Sequence, residues 1–446
     1  MLIITFSDNC HINPHSPKSA FVNNHQIIDK REEKKPVFPT INPYFYRLNN
    51  FNKSYQNFSK SSKKNRMPAI SYIKKKIGQK YLVWLQNSNQ YIQLEEPAWF
   101  VFNRITKRFN TETIADECVM RYGTSPDESL AFATEIRSQI AKANTAIKSI
   151  TNNFEVSDEL NNYKFSPFSV HNYKLGNRVI SFSFETPLFE LYLHPLIAHF
   201  ETKEIGSEMP VFELFARQEQ VVFRYNGVVK GMWTKEETHL VKGLIFMYLI
   251  NVMHGKCDAE WLMTVHASAI TNWKKTILFS AEAGKGKTTI AALLQAQGFQ
   301  LISDDFVPID RESFCAYPFP IAMSVKEGAM ELLTPKFPSL KEKPLNYLSA
   351  EKSVRYLSFN DVDTTKAIFP VKEFILIEYN NDIDFQIEKI DPINGLKLLF
   401  DESWISPTPG NAAILFDRIP HLSFYKLTYS NNQKAVDALT TLFNHD

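Results

Sequence analysis

Cysteine, net charge and long apolar runs are all scarce in this chain of 446 residues, and each shortage excludes something. Its four cysteines, Cys10, Cys118, Cys257 and Cys315, are scattered with no C-x-x-C spacing. They form neither a disulfide framework nor a zinc ligand set, and the plain expectation is a reducing, cytoplasmic setting. A formal net charge of +2 gives no global basic field, so neither nucleic acid nor a membrane is an expected partner. The most apolar run, VKGLIFMYLINVM from Val241 to Met253, is too short to cross a bilayer and is interrupted by Lys242 and Asn251. It reads as a buried helix, with Thr234-Lys235-Glu236-Glu237 as its capping box. The opening MLIITFSDNC lacks the basic and apolar regions of a secretory signal. What is present is a hydrophobic fraction of 44 %, enough for a sizeable core in two or three domains.

Residues 1–66 are rich in Asn, Lys and Ser and have poor apolar periodicity, which predicts a disordered extension, with Met67 after KSSKKNR as a candidate start. From about residue 69 the pattern becomes regular. KYLVWLQ and QYIQLE predict two strands around the turn Asn87-Ser88-Asn89. Three helices follow: 96–109 with Pro97 in its first turn, 110–123 capped by Asn110 or Thr111 and ended by Gly123, and 125–143 capped by Ser125. Together, residues 69–148 predict a small winged-helix-like module. Residues 163–230 alternate apolar and polar, as in RVISFSFET and QVVFRYNG, and predict a run of antiparallel strands. After a helix at 235–254 come the strand LMTVHASAI, the turn TNWKK, the strand TILFS, a glycine loop, the helix KTTIAALLQAQG and the strand FQLISDD. That series, 261–325, is an α/β nucleotide-binding unit within a domain spanning 160–446, whose later strands and helices complete it.

The loop LFSAEAGKGKTT ends as a phosphate-binding loop should, in Gly286-Lys287-Thr288, but Ala281 stands where the first glycine of G-x-x-x-x-G-K-[ST] belongs. A phosphate cradle needs converging backbone N–H groups, and Gly284 and Gly286 permit the required angles. The stretch Ala281, Glu282, Ala283, Gly284, Lys285, Gly286, Lys287, Thr288 and Thr289 would wrap the phosphates. Lys287 would reach the terminal ones and Thr288 would ligate Mg²⁺, with the helix N-terminus behind them. Downstream, an apolar strand ends in Ser303-Asp304-Asp305, where open α/β sheets place their ligands. Of two such carboxylates, one can hold Mg²⁺ and the other can take the proton of an attacking hydroxyl.

The stretch AEAGKGKTTIAALLQAQGFQLISDD resembles the core of the HPr kinase/phosphorylase family, whose loop runs G-E-S-G-x-G-K-S and whose next strand ends A-D-D. Glu282, Gly284, Gly286, Lys287, Asp304 and Asp305 match; Thr288 replaces serine, and Ala281 and Ala283 depart from the pattern. His266 in VHASAI resembles the histidine that family carries before the loop. The resemblance implies an α/β (α+β overall) P-loop fold related to PEP carboxykinases, with Mg²⁺ and ATP and phosphate transfer to a serine-type hydroxyl. Asp304 is favoured as base and Asp305 as the carboxylate nearer the metal. The similarity thins after about residue 325, where EKSVRY offers Lys352 and Arg355 as candidate phosphate contacts.

Residues 70–145 resemble PqqD-like peptide-binding domains, through a hairpin followed by AWFVFNRI and TETIADECVMRYG. That resemblance implies a precursor peptide as partner, its leader segment added as a strand to the hairpin's edge. Three functional readings follow: a kinase of a ribosomally made peptide, a kinase of a hydroxy-metabolite or carrier protein, and a nucleotide-gated peptide carrier without catalysis. A DNA-binding winged helix is the competing reading of the front module.

Overall fold

The computed structural model describes residues 69–145 and 158–444, apart from 207, 235–236, 283, 350–351, 360–368 and 402. The extension read at 1–66, Met67, the middle of the Thr234–Glu237 box and Ala283 therefore lie outside the described residues. What is described divides into two units, one holding 69–145 and the other the residues from 158 on.

In the first unit Tyr72–Ile77 (β1), Lys80–Leu85 (β2) and Gln90–Glu95 (β3) form an antiparallel meander. The sequence predicts only the last two strands. The first, YIKKKI, is hidden by its lysines, yet Lys74 lies 4.3 Å over the Trp99 ring and Lys76 5.5 Å over Tyr81. Both ammonium groups sit over aromatic ring faces, which attract a cation. The helices are Glu96–Thr106 (α1), which has no side-chain cap and stops three residues short of the expected 109, Thr111–Tyr122 (α2) and Pro126–Ala143 (α3), the last two beginning at their capping residues. The Asn110 side chain accepts from the Thr113 amide at 2.7 Å, Gly123 closes α2 at φ 69°, and Ser125 and Glu128 complete a capping box. Sheet and helices share one core that includes Val83, Ile92, Phe102, Ile114, Ile136 and Ile140.

The second unit opens with Asp158–Asn161 (α4), Ser169–Leu175 (β4), Arg178–Phe184 (β5), Pro187–Ile197 (α5), Val211–Arg217 (β6), Gln220–Tyr225 (β7) and Val228–Trp233 (β8). The five strands pair in chain order, but β5 and β6 run parallel, which corrects the expectation of a purely antiparallel run. A parallel pair needs a crossover, and α5 supplies it. The helix was illegible because PLFELYLHPLI carries Pro195 in its interior, although Thr186 caps it through the Phe189 amide. Thr238–His254 (α6) is the apolar run read as a buried helix. Its Val241, Ile245, Phe246 and Leu249 join Phe182, Phe212 and Phe223 in one core. Its start falls just after the box, where Glu237 still accepts from the Thr234 amide at 3.2 Å.

Then come Trp261–Val265 (β9), Ser268–Thr271 (β10), Thr276–Ser280 (β11), Lys287–Ala296 (α7), Gln300–Ser303 (β12), Val307–Asp310 (β13) and Cys315–Ala316 (β14). Met323–Lys326 (β15), Glu327–Leu333 (α8), Asn346–Ser349 (β16) and Lys352–Leu357 (β17) follow, the three strands forming a small separate sheet. The chain ends with Phe369–Tyr379 (β18), Phe385–Ile390 (β19), Pro392–Asp401 (α9), Ser403–Ile405 (β20), Pro409–Arg418 (α10), Ser423–Tyr429 (β21) and Asn432–Asn444 (α11). Ten strands form one mixed sheet in which β11 lies between β10, antiparallel, and β18, parallel, with β21 parallel beyond it. The C-terminal strands thus complete the sheet that carries the glycine loop, and the fold is α/β. Among the described residues no helix is long and apolar enough to cross a membrane.

Candidate active site

The segment read as one strand, LMTVHASAI, is two. It breaks at His266-Ala267, so that β9 pairs with β13 and β10 with β12. Its neighbour breaks at the same level, at Asp304-Asp305-Phe306, between β12 and β13. With Ala269 opposite Ser303 and Val265 opposite Val307, the two kinks face each other. This brings His266 and the acidic pair together. Asp305 adopts φ 66°, the left-handed region that Asp tolerates better than most residues. The twist turns its carbonyl to His266 Nδ1 at 2.9 Å.

The loop leaves the fully buried strand β11 and enters α7. Ala281 is not among the residues with positive φ, and its methyl is buried with Ile290 and Leu294. The missing glycine is thereby explained: position 281 needs no left-handed backbone, and a small apolar side chain completes the core there. The angles are supplied by Gly284 at φ 86° and Gly286 at φ 95°. Gly286 is also sterically required, because a Cβ there would stand 2.8 Å from the Tyr429 hydroxyl. The Tyr379 amide holds the Lys285 carbonyl at 3.1 Å, tying the loop to the end of β18. The first amides of α7, at Lys287, Thr288 and Thr289, have no partner one turn earlier within the helix and are available to an anion.

Lys287 is buried and joins loop to kink. Its ammonium donates to Asp305 Oδ1 at 2.5 Å and lies 3.2 Å from His266 Nε2. A single protonation pattern satisfies these contacts: Nδ1–H donates to the Asp305 carbonyl, and the Nε2 lone pair accepts from Lys287. Burial and the Lys287 charge push the imidazole down to about 4, so it is neutral near pH 7. Asp304 is fully buried, and the hydroxyls of Ser268 and Thr288 donate to its two carboxylate oxygens, Thr288 at 3.1 Å. Burial, then the neighbouring charge of Asp305, raises Asp304 above the usual carboxylate range. For Asp305 burial pulls upward too, but Lys287 outweighs it and holds the carboxyl well below the usual range. Two adjacent carboxylates thus have proton affinities pushed apart by their surroundings, the pattern that assigns separate acid–base tasks.

The remaining sequence-predicted residues lie variously. Glu282 is exposed on the loop and Thr289 half-buried in the first turn of α7. Arg355 is not gathered into the kink: its guanidinium donates to the carbonyls of Lys341, at 3.3 Å, and of Lys343. The side chain of Lys352 lies outside the described part. Sequence reading missed three neighbours. Ser268 follows His266 by two residues and anchors Asp304. Lys242, on α6, is buried over the Phe246 ring at 5.4 Å; burial lowers it to about 8 while the Asp305 charge opposes that shift. A lone lysine in an otherwise apolar helix was the available signal. Lys326, at the end of β15, places its ammonium 3.8 Å from where a Cβ on Gly284 would be. Nothing in its local sequence marks it.

The hydroxyl of Thr288 and the carboxylates of Asp304 and Asp305 are hard oxygen donors of the kind Mg²⁺ takes, and the glycine loop fits a phosphate. No family model matches the chain, and no curated protein does. Matches to solved structures number 31 chains. One is the Hpr(Ser) kinase/phosphatase from Coxiella burnetii, similar at 14 % identity over 41 % of this chain and 95 % of that one. Its TM-score is 0.19, too low to carry an argument about fold or activity.

Proposed function

We propose that the chain is an ATP-dependent phosphotransferase acting on a serine-type hydroxyl. The observation that supports this reading is the convergence of Lys287, Thr288, His266, Asp304 and Asp305 at the N-terminus of α7, beside a glycine loop. Lys287 leaves Asp305 for the nucleotide's terminal phosphates, and the loop amides orient them. Thr288 and Asp305 would hold Mg²⁺, which when bound neutralises charge on the phosphate oxygens. Asp304 accepts the proton of the attacking hydroxyl. The acceptor oxygen bonds to the γ-phosphorus, the bond from that phosphorus to the bridging oxygen breaks, and ADP carries away the electron pair. A neutral His266 keeps Lys287 aimed without competing for the phosphate.

A second assignment is favoured by one contact. Thr288 donates to Asp304, not Asp305, which would make Asp304 the metal carboxylate and leave the more accessible Asp305 as base. Measuring Mg²⁺ affinity and transfer separately in Asp304→Asn and Asp305→Asn assigns the roles. The base variant keeps the metal and loses transfer.

For the acceptor we favour a peptide. The outer strands β1 and β3 of the front meander present edges to which an extended peptide can add. Incubation with γ-labelled ATP, Mg²⁺ and the peptide encoded beside the gene should label the peptide, and Asp304→Asn should abolish the label. Label on small hydroxy compounds alone would move the acceptor. ATP bound with no label on any acceptor would overturn the kinase reading in favour of a nucleotide-gated carrier.

A further inference from the structure

A second polar cluster shares no residue with the glycine-loop site. His171 lies on β4, and Glu190 and His194 lie one turn apart on the same face of α5. One ligand atom from each lies within 4.8 Å of the other two. His171 Nε2 faces Glu190 Oε1 at 2.8 Å, and its Nδ1 is held by Glu201 Oε1 at 2.7 Å. The Tyr173 hydroxyl holds His194 Nδ1 at 2.8 Å, and the two imidazoles stack with centroids 4.3 Å apart.

We propose that His171, Glu190 and His194 form a binding site for a divalent transition metal, Zn²⁺ being the fitting ion. Two imidazoles and one carboxylate are a donor set that zinc takes, with a fourth position left for water. Side-chain exposures of 17 % for His171 and 23 % for Glu190 leave a route for that water. The supporting contacts match the way proteins orient such ligands. A metal-binding histidine presents one nitrogen to the ion while a carboxylate or other acceptor holds the opposite one, and Glu201 does this for His171. Tyr173 fixes the ring of His194 in the same manner. Charge points the same way. Among the described residues no lysine or arginine pairs with Glu190 or Glu201, which both face His171, and a divalent cation would balance them in place of the proton that His171 otherwise carries between them. Bound there, the ion would staple the crossover helix α5 to the first strand of its sheet.

The test uses the full chain, stripped with chelator and titrated with ZnCl₂ in the absence of nucleotide. The wild type should bind one Zn²⁺ per chain and melt at a higher temperature with it. His171→Gln and His194→Gln should lose both effects. Glu201→Gln should keep the stoichiometry and bind roughly 10–100-fold more weakly. Zinc-edge absorption on the unaltered chain should show two imidazole scatterers with oxygen. Absent binding at micromolar zinc, unchanged binding in both histidine variants, or sulfur in the absorption spectrum would overturn the site. If the histidine variants fail to fold, the spectrum of the unaltered chain decides alone.

Discussion

The two polar clusters of the second unit balance charge in opposite ways, one buried and the other partly open to solvent. Around the glycine loop the carboxylates are answered from within: Lys287 pairs with Asp305, Lys242 adds its field, and two hydroxyls donate to Asp304. Around His171 the half-buried Glu190 and the exposed Glu201 pair, among the described residues, with that one imidazole. The first cluster is therefore stable without ligand, and its internal ion pair must open before Lys287 can serve a phosphate. The second waits for protons or for an ion. A buried pair that must be broken for function costs stability if either partner is deleted, because the other charge is left uncompensated.

The largest effect expected from breaking this contrast is on chemistry. Asp304→Asn should lower phosphoryl transfer by about 10²–10⁴-fold, measured as initial rates at saturating Mg²⁺ and ATP. Its zinc stoichiometry should not change, and a change would show that the clusters are not independent. Next comes pH. With Asp304 as base, kcat/KM should rise as Asp304 loses its proton, at a pH above the usual carboxylate range. Asp305→Asn removes the charge that helps raise that value, so the limb should move to lower pH in whatever activity remains. A limb that stays in place would contradict the coupling. A steric test follows. Gly286→Ala forces a side chain into a left-handed backbone and against Tyr429, and should weaken ATP binding. Adding Tyr429→Phe should recover only part of the loss, because the hydroxyl contact goes and the strain of about 1–2 kcal/mol stays.

The effect furthest from the chemistry concerns a histidine outside both clusters. His254 is packed against Tyr317 and Trp261, its Nε2–H donates to the Pro318 carbonyl at 2.8 Å, and burial lowers it to about 4. The unfolded chain takes up that proton first, near pH 6.5. Stability should therefore fall as pH drops from about 6.5 to about 4, by roughly 1.4 kcal/mol per unit for this group. Denaturant midpoints across that range should flatten by one proton in His254→Asn.

How much of this was legible depended on whether the cause was local. Caps, the glycine loop and the acidic pair are written in consecutive residues, so α2, α3, α7 and the acidic pair just after β12 fell where the sequence predicts them. The kink at His266 is not local. It exists because the halves of one segment pair with different strands, and nothing within LMTVHASAI announces that. Asp305's left-handed turn belongs to the same pairing. Lys242 reaches the site from a helix whose apolar pattern speaks of burial, its single lysine being the one local hint, and α5 was masked by Pro195. Arg355, chosen for its charge, is instead directed to carbonyls by the small sheet that carries it. The His171 cluster offered only the i, i+4 spacing of Glu190 and His194, on a helix that Pro195 hid, since its third ligand comes from a strand brought there by the fold.

The most direct test of the central claim, that the paired kinks and the glycine loop make a nucleotide phosphate site, is calorimetric titration of the full chain with Mg·ATP beside Lys287→Met. Micromolar binding by the wild type, weakened at least tenfold in the variant, is the predicted result. Equal affinity in the two proteins, or no binding by the wild type, would contradict it.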